Sequence, residues 1–200
     1  MNTLFLKRGI LAAAVAAAPG AVRAETLKID PNHSAVGFTV RHLLIRVPGR
    51  FNKFEGTIDL DEKNLAASKV SATIQAASID TSSEARDKDL RGPEHFDVGK
   101  FPTLTFTTTA ITDVQGNKGK IRGKLRIHGV EKEVILAAEF LGKAKDPWGN
   151  VKWGFHATTT VSRKDYGMTW NKVLETGGLL VGDEVEISLD VEAGIPKAPH

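Results

Sequence analysis

The chain has no cysteine. That excludes disulfides, thiolate metal sites and cysteine nucleophiles, and it leaves an exported domain dependent on its core. No apolar run approaches the roughly 20 residues needed to span a bilayer. No G-x-S-x-G elbow exists to present an activated serine. No H-x-H or H-E-x-x-H spacing places two imidazoles on one face toward a metal. An excess of charge is missing too. The 200 residues hold 27 Lys+Arg and 24 Asp+Glu. Lys7, Arg8 and Arg23 lie in residues 1–24, which contain no acid. Taking those three away leaves 24 basic against 24 acidic residues, a formal charge of zero. Nucleic acid therefore drops out as a partner.

Residues 1–24 read as a secretory signal. Lys7 and Arg8 form the positive n-region, Ile10–Ala18 the short apolar h-region, and Val22-Arg23-Ala24 an A-x-A-like cleavage site. The expected mature chain starts at Glu25 and lives in the periplasm. With no Cys after the h-region, a lipoprotein anchor is not available. Residues 25–200 are enough for one sizeable domain, and no internal repeat or linker divides them.

From Glu25 onward the dominant period is two. Val36, Phe38 and Val40 alternate with polar or small neighbours, as do Phe54, Ile58 and Leu60, and Val70, Ala72, Ile74 and Ala76. Further runs carry Leu104 and Phe106; Ile121, Leu125 and Ile127; Val134, Leu136, Ala138 and Phe140. The last two carry Trp153, Phe155, Ala157 and Val161, then Val185, Ile187, Leu189 and Val191. Each has one face fit for a core and one for water. The connectors carry turn chemistry: Pro48-Gly49, Asp61–Asn64, Gly116-Asn117, His128-Gly129, Asp146–Gly149 and Gly182-Asp183. Short connectors predict antiparallel neighbours. About eight such strands suit an up-and-down barrel, either filled by side chains or holding one small ligand, with a sandwich as the alternative.

Helix signals concentrate in Thr81–Phe106. Thr81 and Glu84 fit a capping box, Asp87 and Arg91 an i,i+4 pair. Gly92 suits a left-handed C′ position, and Pro93 blocks continuation while opening a second short turn, Glu94–Val98. The insert carries the bulky Leu90, Phe96, Val98 and Phe101. It reads as a plug on the end of a core or as a lid over a cavity.

Asp30, His33 and Ser34 invite a catalytic-triad reading, but adjacent residues of an extended segment point to opposite faces. The remaining histidines are scattered. The stripe Lys118, Lys120, Arg122, Lys124, Arg126, His128 occupies one strand face and reads as solvated, with a docking surface for anionic headgroups or an acidic partner as the sharper alternative. Ser162–Gly167 brings Arg163, Asp165 and Tyr166 to a strand end, where Arg163 is a buried paired charge or a headgroup contact.

In order, the chain presents Asp30-x-x-His33-Ser34-x-x-x-Phe38-x-x-x-His42, Gly49-x-Phe51-x-x-Phe54-x-Gly56 and Ser78-Ile79-Asp80-Thr81. Arg86-Asp87-x-x-Leu90, Phe96 and Phe101-Pro102-x-x-x-Phe106 follow. The series ends with Gly123-x-Leu125-x-Ile127-His128-Gly129-Val130-x-Lys132 and Ser162-Arg163-x-x-Tyr166-Gly167. The ordered set resembles the YceI-like family of exported polyisoprenoid-binding proteins, over essentially Glu25–Glu192. Tyr166 stands where that family usually has Phe, and its hydroxyl could alter headgroup contacts. The resemblance implies an all-β, lipocalin-like antiparallel barrel with a short helical insert and a long apolar interior for an isoprenoid tail. It implies no catalytic step and no cofactor beyond the bound lipid.

The expected lining is Val36, Phe38, Val40, Phe54, Ile74, Leu104, Phe106, Ile121, Leu125, Trp153, Phe155 and Trp170, with Leu90, Phe96 and Met168 at the mouth. Arg163, Tyr166 and His42 are the candidate headgroup or mouth polar contacts. The expected partner is an isoprenoid lipid, either a polyprenyl alcohol or phosphate or an isoprenoid quinone. Transient contact with a membrane surface and a homodimer are compatible with that reading. Two other readings compete. One is a hydrolase or isomerase acting in the same pocket, which needs converging titratable groups. The other is a filled structural barrel, which an open cavity would exclude.

Overall fold

The computed structural model describes residues 25–175 and 177–196, so the signal and its cleavage site lie outside the described residues. Eleven strands form one antiparallel sheet. They are β1 (Glu25–Ile29), β2 (Ala35–His42), β3 (Ile45–Phe51), β4 (Phe54–Leu60), β5 (Lys69–Gln75) and β6 (Ile79–Asp80). After helix α1 (Glu84–Leu90) come β7 (Thr103–Gln115), β8 (Lys118–Ile127), β9 (Val130–Lys145), β10 (Val151–Ser162) and β11 (Val181–Gly194).

Three pairs are single staves broken once. β1 and β2 both lie along β11, while β4 and β3 lie along β1 and β2 respectively. β5 and β6 likewise follow β4 and β3. The breaks meet at one corner, where Asn52 N–H donates to the Ser78 carbonyl (3.1 Å) and Lys53 N–H to Ser78 Oγ (3.0 Å). Counted as staves, the sheet is an eight-stranded meander. Pairing of Lys28 with Gly194 and Ile29 with Ala193 closes it into a barrel. Closure removes most of the unpaired edge that an open sheet of this length would expose, leaving unpaired the far side of β3 ahead of Arg50 and that of β6.

Two expected connectors are strand instead. Pro48-Gly49 lies inside β3, opposite Thr39 and Phe38. Pro48 is tolerated because the far side of β3 pairs only at Arg50 and Phe51. Gly182-Asp183 lies in β11 at an irregularity between Val181 and Val185, and the true connection is the longer segment 163–180. The tight turns hold. His128 (φ 50°) and Gly129 (φ 76°) both take the left-handed region, as a two-residue hairpin of type I′ requires.

The helical insert forms, but its predicted contacts do not. Ser83, not Thr81, is the N-cap, and it makes no side-chain cap bond. Buried Asp87 draws Thr81 elsewhere: it accepts from Thr81 N–H (2.9 Å) and Oγ1 (2.6 Å), while Arg86 donates to Thr81 Oγ1 and its carbonyl (both 2.8 Å). Arg91 turns away from Asp87 to donate to the Ala77 and Ile79 carbonyls (2.8 Å each). These bonds tie the insert to the barrel rather than stabilise the helix locally. Gly92 is not among the left-handed residues; Asp97 is.

Apolar packing divides between the ends. At the helix end, Phe51, Ala76, Ile79, Leu104, Leu125, Ile127, Tyr166 and Met168 form one buried cluster, on which Leu90, Phe96 and Val98 of the insert rest. At the hairpin end, Leu27, Ile29, Ile58, Leu60, Trp153 and Ala193 form the other.

Candidate functional site

Between these clusters the barrel is open. A cavity of about 740 Å³ runs along the interior. A packed interior leaves few voids larger than a water molecule, so the barrel is not side-chain-filled; the volume falls within the roughly 300–1,000 Å³ of small-molecule sites. Its wall is built from the inward faces of the long strands and is overwhelmingly apolar.

Two glycines help keep it open. An added Cβ on Gly49 would lie 2.2 Å from Cζ of Phe38, and one on Gly123 would lie 2.3 Å from Cζ of Phe106. Both rings lie flat across a glycine of the neighbouring strand, where any larger residue would lift them off the wall.

Nearly every residue expected to line the interior does so. Val36, Phe38, Val40, Phe54, Ile74, Leu104, Phe106, Ile121, Leu125 and Phe155 are on the wall, and Leu90, Phe96, Met168 and Trp170 join it at the helix end. Trp153 does not. It is 3 % exposed within the hairpin-end cluster, its indole N–H donates to Glu62 (2.8 Å), and the Lys143 ammonium lies 5.9 Å from its ring centroid. It forms a floor below the cavity, because its strand parity continues past the point where the barrel is already packed. The wall also includes Leu136, Ile187 and Leu189, whose alternation was legible, and Arg86, Asp89 and His95 of the insert, of which only Arg86 appeared in the motif series and none was expected to line the interior.

The polar candidates are less available than their positions suggested. Arg163 touches the wall, but its guanidinium is spent on the fold. It donates to the Gly182 (3.0 Å), Met168 (2.7 Å) and Trp170 (2.7 Å) carbonyls and pairs with Asp183 (3.1 Å). Tyr166 is 1 % exposed within the helix-end cluster, and its hydroxyl is covered and has no hydrogen-bond partner. Desolvation pushes its pKa up to about 12, so the phenol stays neutral. His42 is half-buried on the wall near the helix-end rim. His95 stacks edge-on against Trp170 (5.2 Å), and burial pushes its pKa below the ordinary value against the opposing pull of Asp89.

The other charged constellations are structural. His33 Nδ1 lies 3.0 Å from Asp30, but Ser34 Oγ donates to the Glu192 carbonyl and accepts from the Glu192 N–H, so no triad forms. Asp30, His33 and Glu192 converge closely enough to suggest a cation site. The Lys152 ammonium already fills that role, 2.8 Å from Asp30 and 3.0 Å from Glu192. With His33 it holds Asp30 down to about 2. The group is a latch across the β1–β11 seam. On the outer face, Lys118, Lys120, Arg122 and Lys124 face Glu139, Asp113, Glu133 and Glu131 across strands, the solvated reading of that stripe.

A family model described as a YceI-like domain matches residues 27–193. The chain is 39 % identical over 176 residues to the YceI protein of Salmonella newport, covering 86 % of this chain and 88 % of that one. The crystal structure of BcnA from Burkholderia cenocepacia is 25 % identical with a TM-score of 0.72, covering 82 % of this chain and 98 % of that one. A polyisoprenoid binding domain from Saccharophagus degradans shares the fold at 14 % identity, with a TM-score of 0.62 over 87 % of this chain and all of that one.

Proposed function

The chain belongs to the YceI-like family, and from that premise we propose that it is a periplasmic carrier that sequesters a long isoprenoid lipid in its barrel. The carrying observation is the open apolar cavity of about 740 Å³. Burying an isoprenoid tail there gains roughly 0.8 kcal/mol per CH₂ without polar contacts. The name of the Saccharophagus degradans neighbour supports the same ligand class. The signal-like residues 1–24 support export.

The charged side chains of the wall that lie on the insert, Arg86 and Asp89, sit at the helix end, and the two polar candidates at the strand end are not available to a headgroup. Arg163 is engaged by carbonyls, and Tyr166 is a neutral phenol. A headgroup therefore rests at the rim, and selection acts on tail length and shape. The reading includes no chemical step: the one serine–histidine–carboxylate trio singled out in the sequence forms a seam latch instead.

Native mass spectrometry of exported protein, followed by lipid extraction, tests this. The expected species starts at Glu25 and carries an isoprenoid. Protein that co-purifies with no lipid, and whose melting is unmoved by added polyprenol or quinone, would sink the carrier reading. An intact mass retaining residues 1–24 in correctly exported material would sink the processing site.

A further inference from the structure

The β2–β3 hairpin turns on Leu43 and Leu44, the reverse of ordinary turn chemistry, which favours Gly, Asn or Asp there. Leu43 is held at φ 52°, a conformation unusual for a bulky residue. Leu44 is 98 % exposed and Ile45 65 %. The tip is fixed rather than frayed: Arg41 donates to the Leu43 carbonyl (2.7 Å), and Leu43 N–H to the Leu180 carbonyl (2.8 Å). Leu180 N–H in turn donates to the Lys172 carbonyl (2.9 Å), and Val173, 80 % exposed, bridges Leu179. Leu43, Leu44, Ile45 and Val173 thus form one rigid apolar rim. It continues directly into the cavity, since His42, Trp170, Leu180 and Val181 line the wall.

We propose that this rim docks the barrel on an anionic phospholipid bilayer, inserting Leu44 and Ile45 beside the cavity mouth so that a lipid passes between membrane and barrel. The proposal rests on the carrier reading for its purpose but not for its chemistry. Charge favours a membrane. Arg41 and Lys172 flank the patch and have no carboxylate partner among the described residues, which suits them to headgroup phosphates. Arg46 also flanks it but is paired with Glu186. Size argues against a second copy of the chain: four side chains on a narrow tip fall short of the roughly 800 Å² per partner that a stable dimer buries.

The probe is flotation of the mature protein with 3:1 phosphatidylethanolamine–phosphatidylglycerol vesicles. Wild type should float, and Leu44→Ser/Ile45→Ser should partition at least about ten-fold less, as expected for losing two inserted aliphatic side chains. Lys172→Gln, which leaves the Arg41 contact with the Leu43 carbonyl in place, should weaken binding to these vesicles but not to neutral phosphatidylcholine. Emission from Leu44→Trp should be quenched by brominated acyl chains. Because these positions are exposed, melting and uptake of detergent-dispersed polyprenol should match wild type. A tip double variant that floats as well as wild type overturns the proposal, as does a dimer that Leu44→Ser dissociates. Loss of flotation in Trp148→Ser, at the opposite end (83 % exposed), with none in the tip variants overturns it too. Wild-type protein that floats yet takes up no isoprenoid defeats the carrier reading alone.

Discussion

The two ends of the barrel are closed by different means. The hairpin end uses short turns, a dense cluster floored by Trp153, and ion pairs outside it: Lys152 across Asp30 and Glu192, and Lys143 on Glu62. The helix end uses long segments, the α1 insert and 163–180, whose backbone leaves the ladder and must find other partners. Arg163 and Arg91 supply them by donating to carbonyls. Both ends have a packed apolar cluster, but the helix end adds arginines, buried Arg163 and half-buried Arg91, that hold backbone carbonyls. That arrangement leaves room for a mouth, and it places Leu44 and Val173 on the outside of it.

The sharpest break in that contrast is a deletion at each end. Arg163→Met leaves three carbonyls unpartnered and should cost about 3–5 kcal/mol, as loss of one partner from a buried charged network does. Trp153→Ala leaves a void in a packed floor and should cost about 3–5 kcal/mol. Phe38→Ala, whose ring already borders open volume, should cost the apo protein clearly less than Trp153→Ala and instead weaken isoprenoid binding. Denaturant melts with and without ligand separate the three; a full core-sized loss for Phe38→Ala without any ligand-dependent shift would mean the cavity is not a working site.

Thr81→Ala comes next. It removes a hydroxyl donor from the buried Asp87 carboxylate, so about 1–3 kcal/mol is expected. If Asp87→Asn abolishes the effect, the Asp87 contact is its source; an unchanged effect would assign the loss to the bond that Thr81 Oγ1 accepts from Arg86.

Gly123→Val should cost a comparable or smaller amount, about 1–3 kcal/mol of overpacking. Its larger effect should be on ligand, since the Phe106 ring is pushed into the lumen. Titration with a polyprenol checks it: affinity equal to wild type would show that the ring finds room elsewhere.

The smallest effect is at the seam. Asp30 is held at about 2 by Lys152 and His33, below the unfolded value of roughly 3.9. Its folded-state pKa is depressed, so its contribution is fully present above about pH 4 and is lost as pH falls toward 2. Lys152→Met should flatten that part of the stability profile. Denaturant midpoints at neutral pH and across the acid range read it out, and an unaltered acid limb in the variant would remove Asp30 from the account.

Much of the fold was legible because its rules are local. Alternation marked eight of the strand faces, and turn residues marked four of the six expected connectors. Pro48-Gly49 misled because these residues serve tertiary needs, an unpaired edge and a seat for Phe38, through the same chemistry that makes turns. Thr81 misled for the opposite reason: its capping pattern was outcompeted by Asp87, a buried carboxylate in greater need of a donor.

By itself the sequence determined which side of each strand is dry, where the tight hairpins fall and that the chain resembles a barrel family, since alternation and turn geometry act within a few residues. Only the tertiary structure decided that the interior is open, that Trp153 is floor and Phe155 wall, and that Arg163 faces carbonyls rather than ligand. The physical reason is that period two encodes the face of a strand but not the depth along the barrel axis. Whether inward rings meet or lie flat on a neighbour's glycine depends on register between residues far apart in the chain.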